Sequence, residues 1–430
     1  MNTGLAPTLC SLLLRRRKKS RIFVICVFIC TILLFIVLFC ASEGIAYAAT
    51  SDAQENLESE LSDSVDSAID RIDSDLFEDF IASLGEEQSA AVGIENLKEA
   101  LKNMTQGEPS DFFGSFMSAL ASALGGYFLG FLPGFISVII VCLLKSMLAG
   151  MSSGFKNAST GEVVHIVCYS AVIVILSAAA VNVIITVTDT INALAAFSEA
   201  VFPILDKLYM VLVILLTLLA AVGGSSGVAL YQPFMAVLSG TIIKLVQSVI
   251  VPAFIATIVF SVVGNVSKSV KLDKLAKLFK SGAGWLIGIV FGLFAAFLTA
   301  QGITGGVLDR LSFNAAKFAV SSYVPILGGY LSDGFDLLTA SLVLVKNAVG
   351  VTGVAVLAAV VLFPLLQLAA FILGLRLTAA ITEPIGDTRT SSVLGALADN
   401  TGLLVTALVG VGFMFFVILM LVIGSFNPGV

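Results

Sequence analysis

The chain has 430 residues, 58% of them hydrophobic and only 12% charged, and a mean hydropathy of +1.05. These values exclude a soluble globular domain and predict an all-α polytopic membrane protein. The net charge of −6 is split, because residues 51–123 hold 17 acids and 3 bases while the remainder carries +8.

In chain order, the first predicted element is an export signal over residues 1–48. Arg15, Arg16, Arg17, Lys18, Lys19 and Arg21 precede an apolar run from Ile22 to Ala41, and Ala46-x-Ala48 suits signal peptidase. The apolar run is long for a signal, so an uncleaved anchor is the alternative. A lipoprotein reading at Cys40 fails because bulky Phe39 stands where a small residue is needed. Cys10, Cys26, Cys30 and Cys40 lie in this leader, Cys142 and Cys168 in later spans. The acidic stretch has no cysteine, so no disulfide framework holds it.

Residues 49–123 form an acidic region expected outside the cytoplasm. Leu57, Leu61, Val65, Ile69, Ile72, Leu76, Phe80 and Leu84 recur every three or four residues, which predicts one helix over 51–84. Gly85 interrupts it, and a second helix follows through Ile94, Leu97, Leu101 and Met104 before Gly107 and Pro109. The pair reads as a solvated helical hairpin or as an acidic docking surface.

Residues 124–430 form the multispanning domain. About 20 apolar residues cross a hydrocarbon core, which places spans near 124–148, 163–187, 204–223, 228–246, 248–266, 283–302, 350–375 and 403–424. Residues 335–349 form a further helix of undefined depth. With the acidic region outside, Lys145, Lys156, the 268–280 cluster, Arg376 and Arg389 fall inside, against Lys207, Arg310, Lys317 and Lys346 outside. This distribution obeys the positive-inside tendency.

Residues 268–280 read as an interfacial helix in contact with lipid. Leu272, Leu275, Ala276 and Phe279 form an apolar face, and Lys271, Lys274, Lys277 and Lys280 occupy the rest. Two glycine ladders, Gly126, Gly130 and Gly134, then Gly284, Gly288 and Gly292 beside Trp285, leave grooves for close helix approach. Packing within the chain is the first expectation; contact between subunits is the second.

One helix resists the lipid reading. At 100° per residue, Asp336, Thr339, Lys346, Asn347 and Gly350 share a sector of about 100°, while Leu337, Leu338, Leu342 and Val345 lie outside it. A charge at the bilayer centre costs about 2.5–3.5 kcal/mol, so this polar seam should face protein or water, unless Lys346 snorkels to an interface. "FPIL" at 202 and "VPIL" at 324 are each followed by a helix and a glycine-containing break, "GGSSG" at 223 and "GVTG" at 350, suggesting a degenerate parallel repeat.

No phosphate-binding loop ends in Lys-Ser or Lys-Thr, His165 is the sole histidine, and the two later cysteines lack ligand spacing. The expectation is no catalytic residue, no cofactor, no metal and no nucleic-acid partner.

"FPIL", "GGSSG" followed by "QPF" at 232, "QGITGGVLDR" at 301, "AAKFAVSSYVPILGG" at 315, "LVKNAVG" at 344 and "EPIGD" at 383 together resemble the stage III sporulation protein AE family of endospore formers. The resemblance implies a mother-cell component of the channel joining mother cell and forespore. It also implies partners in that complex, namely ring-forming sister proteins and a cytoplasmic ATPase, and assembly as a homo-oligomer or hetero-complex. Two other functions fit a polytopic chain: a secondary transporter with an ion-coupled midplane site, and a non-conducting scaffold for the rings.

Overall fold

The structure is a computed structural model that describes residues 55–94, 96–105, 112–152, 158–219, 240–241, 243–266, 272–302, 328–385 and 388–424. The leader over 1–48, the "GGSSG", "QPF" and "VPIL" stretches, Arg310, Lys317, Lys271 and most of the 228–246 span lie outside those residues. The described secondary structure is helical, without strands.

Four short helices come first: α1 (Glu55–Asp70), α2 (Asp75–Ser83), α3 (Glu86–Val92) and α4 (Leu97–Thr105). This corrects the expected two-helix hairpin. The chain breaks at 71–74, and the break shifts the apolar phase by one residue: Ile69 and Ile72 are buried, Leu76 is exposed, and Phe77 takes its place inside. Local chemistry sets the other boundaries. The Gln88 side chain accepts from the Gly85 amide at the start of α3, and Gly93 ends it at φ +62°, a left-handed conformation that glycine adopts without steric cost. Asn96 Oδ1 accepts from the Lys98 and Glu99 amides, 2.9 and 3.3 Å away, which caps α4. Lys102 on α4 lies 3.6 Å from Asp66 and 3.9 Å from Asp70 of α1, tying the two helices together.

Among the described residues six long helices follow: α5 (Phe112–Ser152), α6 (Ala158–Leu219), α7 (Val251–Val266), α8 (Asp273–Gly302), α9 (Gly328–Thr382) and α10 (Thr388–Gly424). A π-helical turn at Val246–Ile250 leads into α7. Each contains a stretch long and apolar enough to cross a membrane, or extends one. The α9–α10 pair is an antiparallel hairpin at the centre, with 72% and 78% of its apolar stretches buried, against 17% for α5 and α8. Around it, α5 and α6 pack on α9, α7 and α8 on α10, and α5 on α6.

Three expectations about the spans change. Residues 188–203, left between the expected spans 163–187 and 204–223, lie inside the unbroken α6, which accommodates Pro203 within its length. The 335–349 helix and the 350–375 span are one helix, α9, so "GVTG" is not a break. Gly350 and Gly353 instead admit Ile423 and Leu419 of α10 to close contact, which removes that half of the proposed repeat. Finally, 273–280 are the first turns of α8 and continue without interruption to Gly302, so they do not form a separate helix lying in the interface.

Candidate functional site

The short acidic helices dock on one end of the long ones. Phe80 of α2 meets Phe197 of α6 edge-on at 5.9 Å. Lys207 of α6 pairs with Asp73 at 3.2 Å, the Tyr127 side chain of α5 lies beside the Glu87 carboxylate, and Thr352 Oγ1 of α9 donates to Met104 Sδ at 3.4 Å. Between α1, α6 and α9 an open cleft of about 500 Å³ is lined by Asp63, Arg71, Asp73, Lys207 and Ser341 over an apolar floor that includes Ile72, Ile204 and Leu342.

The polar seam enters the protein one turn below this cleft. Lys346 is 1% exposed, and Gly350, a turn further on, is buried against Ile423. The Asn347 Oδ1 atom is buried and accepts no hydrogen bond among the described residues, a situation that costs about 1–3 kcal/mol. The side chains of Asp336 and Thr339 lie outside the described residues. Lys346 therefore does not snorkel to water; the protein encloses it. Thirty residues of continuous helix separate it from Arg376, about 45 Å at 1.5 Å per residue, further than the roughly 30 Å thickness of a hydrocarbon core.

The opposite end of the bundle holds a charged cluster. Arg376 pairs with Asp399 at 3.3 Å, and Lys280 donates to the Asp399 carbonyl and to Asn400 Oδ1. Of the basic positions expected to lie flat in the interface, Lys274 and Lys277 are exposed and Lys280 is half-buried in this cluster.

Among the described residues, nothing packs closely against either glycine ladder. A Cβ added at Gly126, Gly130, Gly134, Gly284, Gly288 or Gly292 meets nothing within 4 Å among the described residues, and Trp285 is 74% exposed. The glycines that do mediate close helix contact are others: Gly374 against Phe135, Gly410 against Phe291 and Gly412 against Val361.

A further polar feature escaped the sequence reading. Asn182, Asp189, Asn192 and Glu199 are all exposed on one face of α6, with Thr186 half-buried between them. Asn192 accepts from Gln247 Nε2 at 2.8 Å. Asp189 lies at least sixteen residues from either end of the apolar stretch Ile166–Leu205, about 24 Å along the helix. Ending one span at 187 and starting the next at 204 split the pattern; the 4-3-3 spacing from Asn182 to Asn192, with Glu199 seven further on, is the signal that reveals it.

A bundle of long apolar helices around a buried hairpin defines a multi-pass α-helical membrane protein. The model of the stage III sporulation protein AE family matches residues 95–425, and the chain belongs to that family, which places it in sporulation. A curated relative from Bacillus subtilis (strain 168), itself called stage III sporulation protein AE, is 28% identical over 276 residues, covering 63% of this chain and 67% of the relative. No solved structure matches the chain.

Proposed function

We propose that the chain is a membrane subunit of a secretion-like channel complex joining mother cell and forespore. It sits in the mother-cell membrane facing the forespore, with α1 to α4 on the side away from the cytoplasm. The observation that carries this reading is helix length. With 62 and 55 residues, α6 and α9 extend about 93 and 83 Å, roughly twice the 40–45 Å of a bilayer with its headgroups. Even a steep tilt leaves a long protrusion, and the acidic helices clothe it. Such a chain is suited to meet partners in the gap between two membranes. Ring-forming proteins would engage that protrusion, and a cytoplasmic ATPase would supply the energy for which the sequence has no phosphate-binding loop.

The full chain, tagged and isolated in mild detergent from sporulating cells, should bring ring-forming proteins and the ATPase with it. Recovery of the chain alone, from cells in which those proteins are abundant, would contradict the proposal.

A further inference from the structure

We propose that the outward polar stripe of α6 lines a water-filled path formed between copies of this chain. The proposal rests on the channel reading and deepens it by assigning the wall. It starts from where a path cannot run. Every residue from Val354 to Phe363 is 8% exposed or less, and Leu404, Leu408, Phe415 and Leu419 of α10 close against them. The α9–α10 interior is therefore dry and filled.

The outer faces of the peripheral helices differ. Exposed Leu129 and Ile140 on α5, Ile255 and Val259 on α7, and Trp285 and Leu293 on α8 present apolar surface suited to lipid. On α6, Asn182, Asp189, Asn192 and Glu199 are exposed within an apolar stretch, interleaved with exposed Val181 and Ile185. Among the described residues, no other long helix exposes acids so far from the ends of its apolar stretch. Ionisable groups in such stretches face protein or water rather than hydrocarbon.

The sign of the charge decides which. From Asn182 to Glu199 the stripe contains two acids and no base, so equivalent stripes brought face to face repel and are not a dry interface. A ring of copies with α6 toward the axis keeps them apart and hydrated. Rings of acids of this kind favour cations over anions.

The test uses cysteines introduced one at a time into the full chain at Asp189, Glu199 and, as an uncharged site, Asn182. Membranes from sporulating cells are treated with a small cationic thiol reagent and, separately, with a bulky polymer-linked maleimide, the parent chain setting the baseline. Expected is labelling by the small reagent roughly tenfold faster than at Leu293→Cys, because lipid slows an ionic reagent, and little labelling by the polymer. If neither reagent reacts at any of the three sites, the stripe is enclosed and the proposal falls. If both react freely, the stripe lies in open water and the proposal falls as well. Either outcome leaves the channel reading standing if the partners still co-purify. Loss of the partners with the size-limited labelling intact would sink the channel reading instead.

Discussion

Gly374→Ala isolates the packing contribution at the α5–α9 contact. An added Cβ falls inside the Phe135 ring, which is buried and wedged among Phe131 and Phe371, with centroids 6.2 and 6.1 Å away. The ring cannot move without displacing both neighbours. Overpacking of this kind costs about 1–3 kcal/mol, while glycine to alanine within a helix gains about 1 kcal/mol. Gly288→Ala is the control, since its new methyl meets nothing within 4 Å among the described residues and only the propensity gain remains. The two variants should therefore differ by the packing cost, about 1–3 kcal/mol. Thermal unfolding in detergent, followed with a thiol-reactive fluorogenic dye that reports exposure of the buried Cys142, measures the difference. Gly374→Ala should melt below wild type, Gly288→Ala at or above it, and Phe135→Leu should rescue Gly374→Ala. A Gly374→Ala chain as stable as Gly288→Ala would refute the reasoning.

Lys346→Leu should remain folded and abundant while lowering spore yield, because the enclosed site takes leucine without the cost of burying a charge; normal sporulation would remove the seam from function. Phe80→Ala removes a buried ring from the α2–α6 contact. At a cost of about 3–5 kcal/mol it should loosen the acidic helices, so limited proteolysis should cut within 55–105 sooner while α9–α10 stays intact. Asp399→Asn should cost less than about 1 kcal/mol, since its pair with Arg376 is 48% and 42% exposed and half-exposed ion pairs contribute little. Lys280 donates to the backbone carbonyl of Asp399 and keeps that bond, so a larger loss in detergent melting would show a further role for the carboxylate.

The membrane class was legible because composition alone requires it, and Val65, Ile69, Ile72, Phe80, Leu97 and Leu101 were legible because periodicity marks buried faces. The break after Asp70 was not, since Ile72 and Leu76 continue the spacing although the phase slips by one residue. Helix continuity was misread at Pro203 and at Gly350–Gly353 for a shared reason. In a bundle, neighbouring helices support a proline within a helix and use glycine as a point of approach, so residues that break isolated helices do not break these. That misreading left Asp189, Asn192 and Glu199 between two spans. It also left the depth of the Lys346 helix undefined, because its distance from Arg376 is set only once α9 is one helix. The glycine ladders show the converse limit: spacing identifies a groove, but not what fills it.

A path lined by α6 requires this chain to act in several copies. The number of copies in the purified membrane complex, obtained by mass measurement of the intact assembly in detergent, tests it most directly. The expectation is several copies per complex. A complex built on one copy would contradict it.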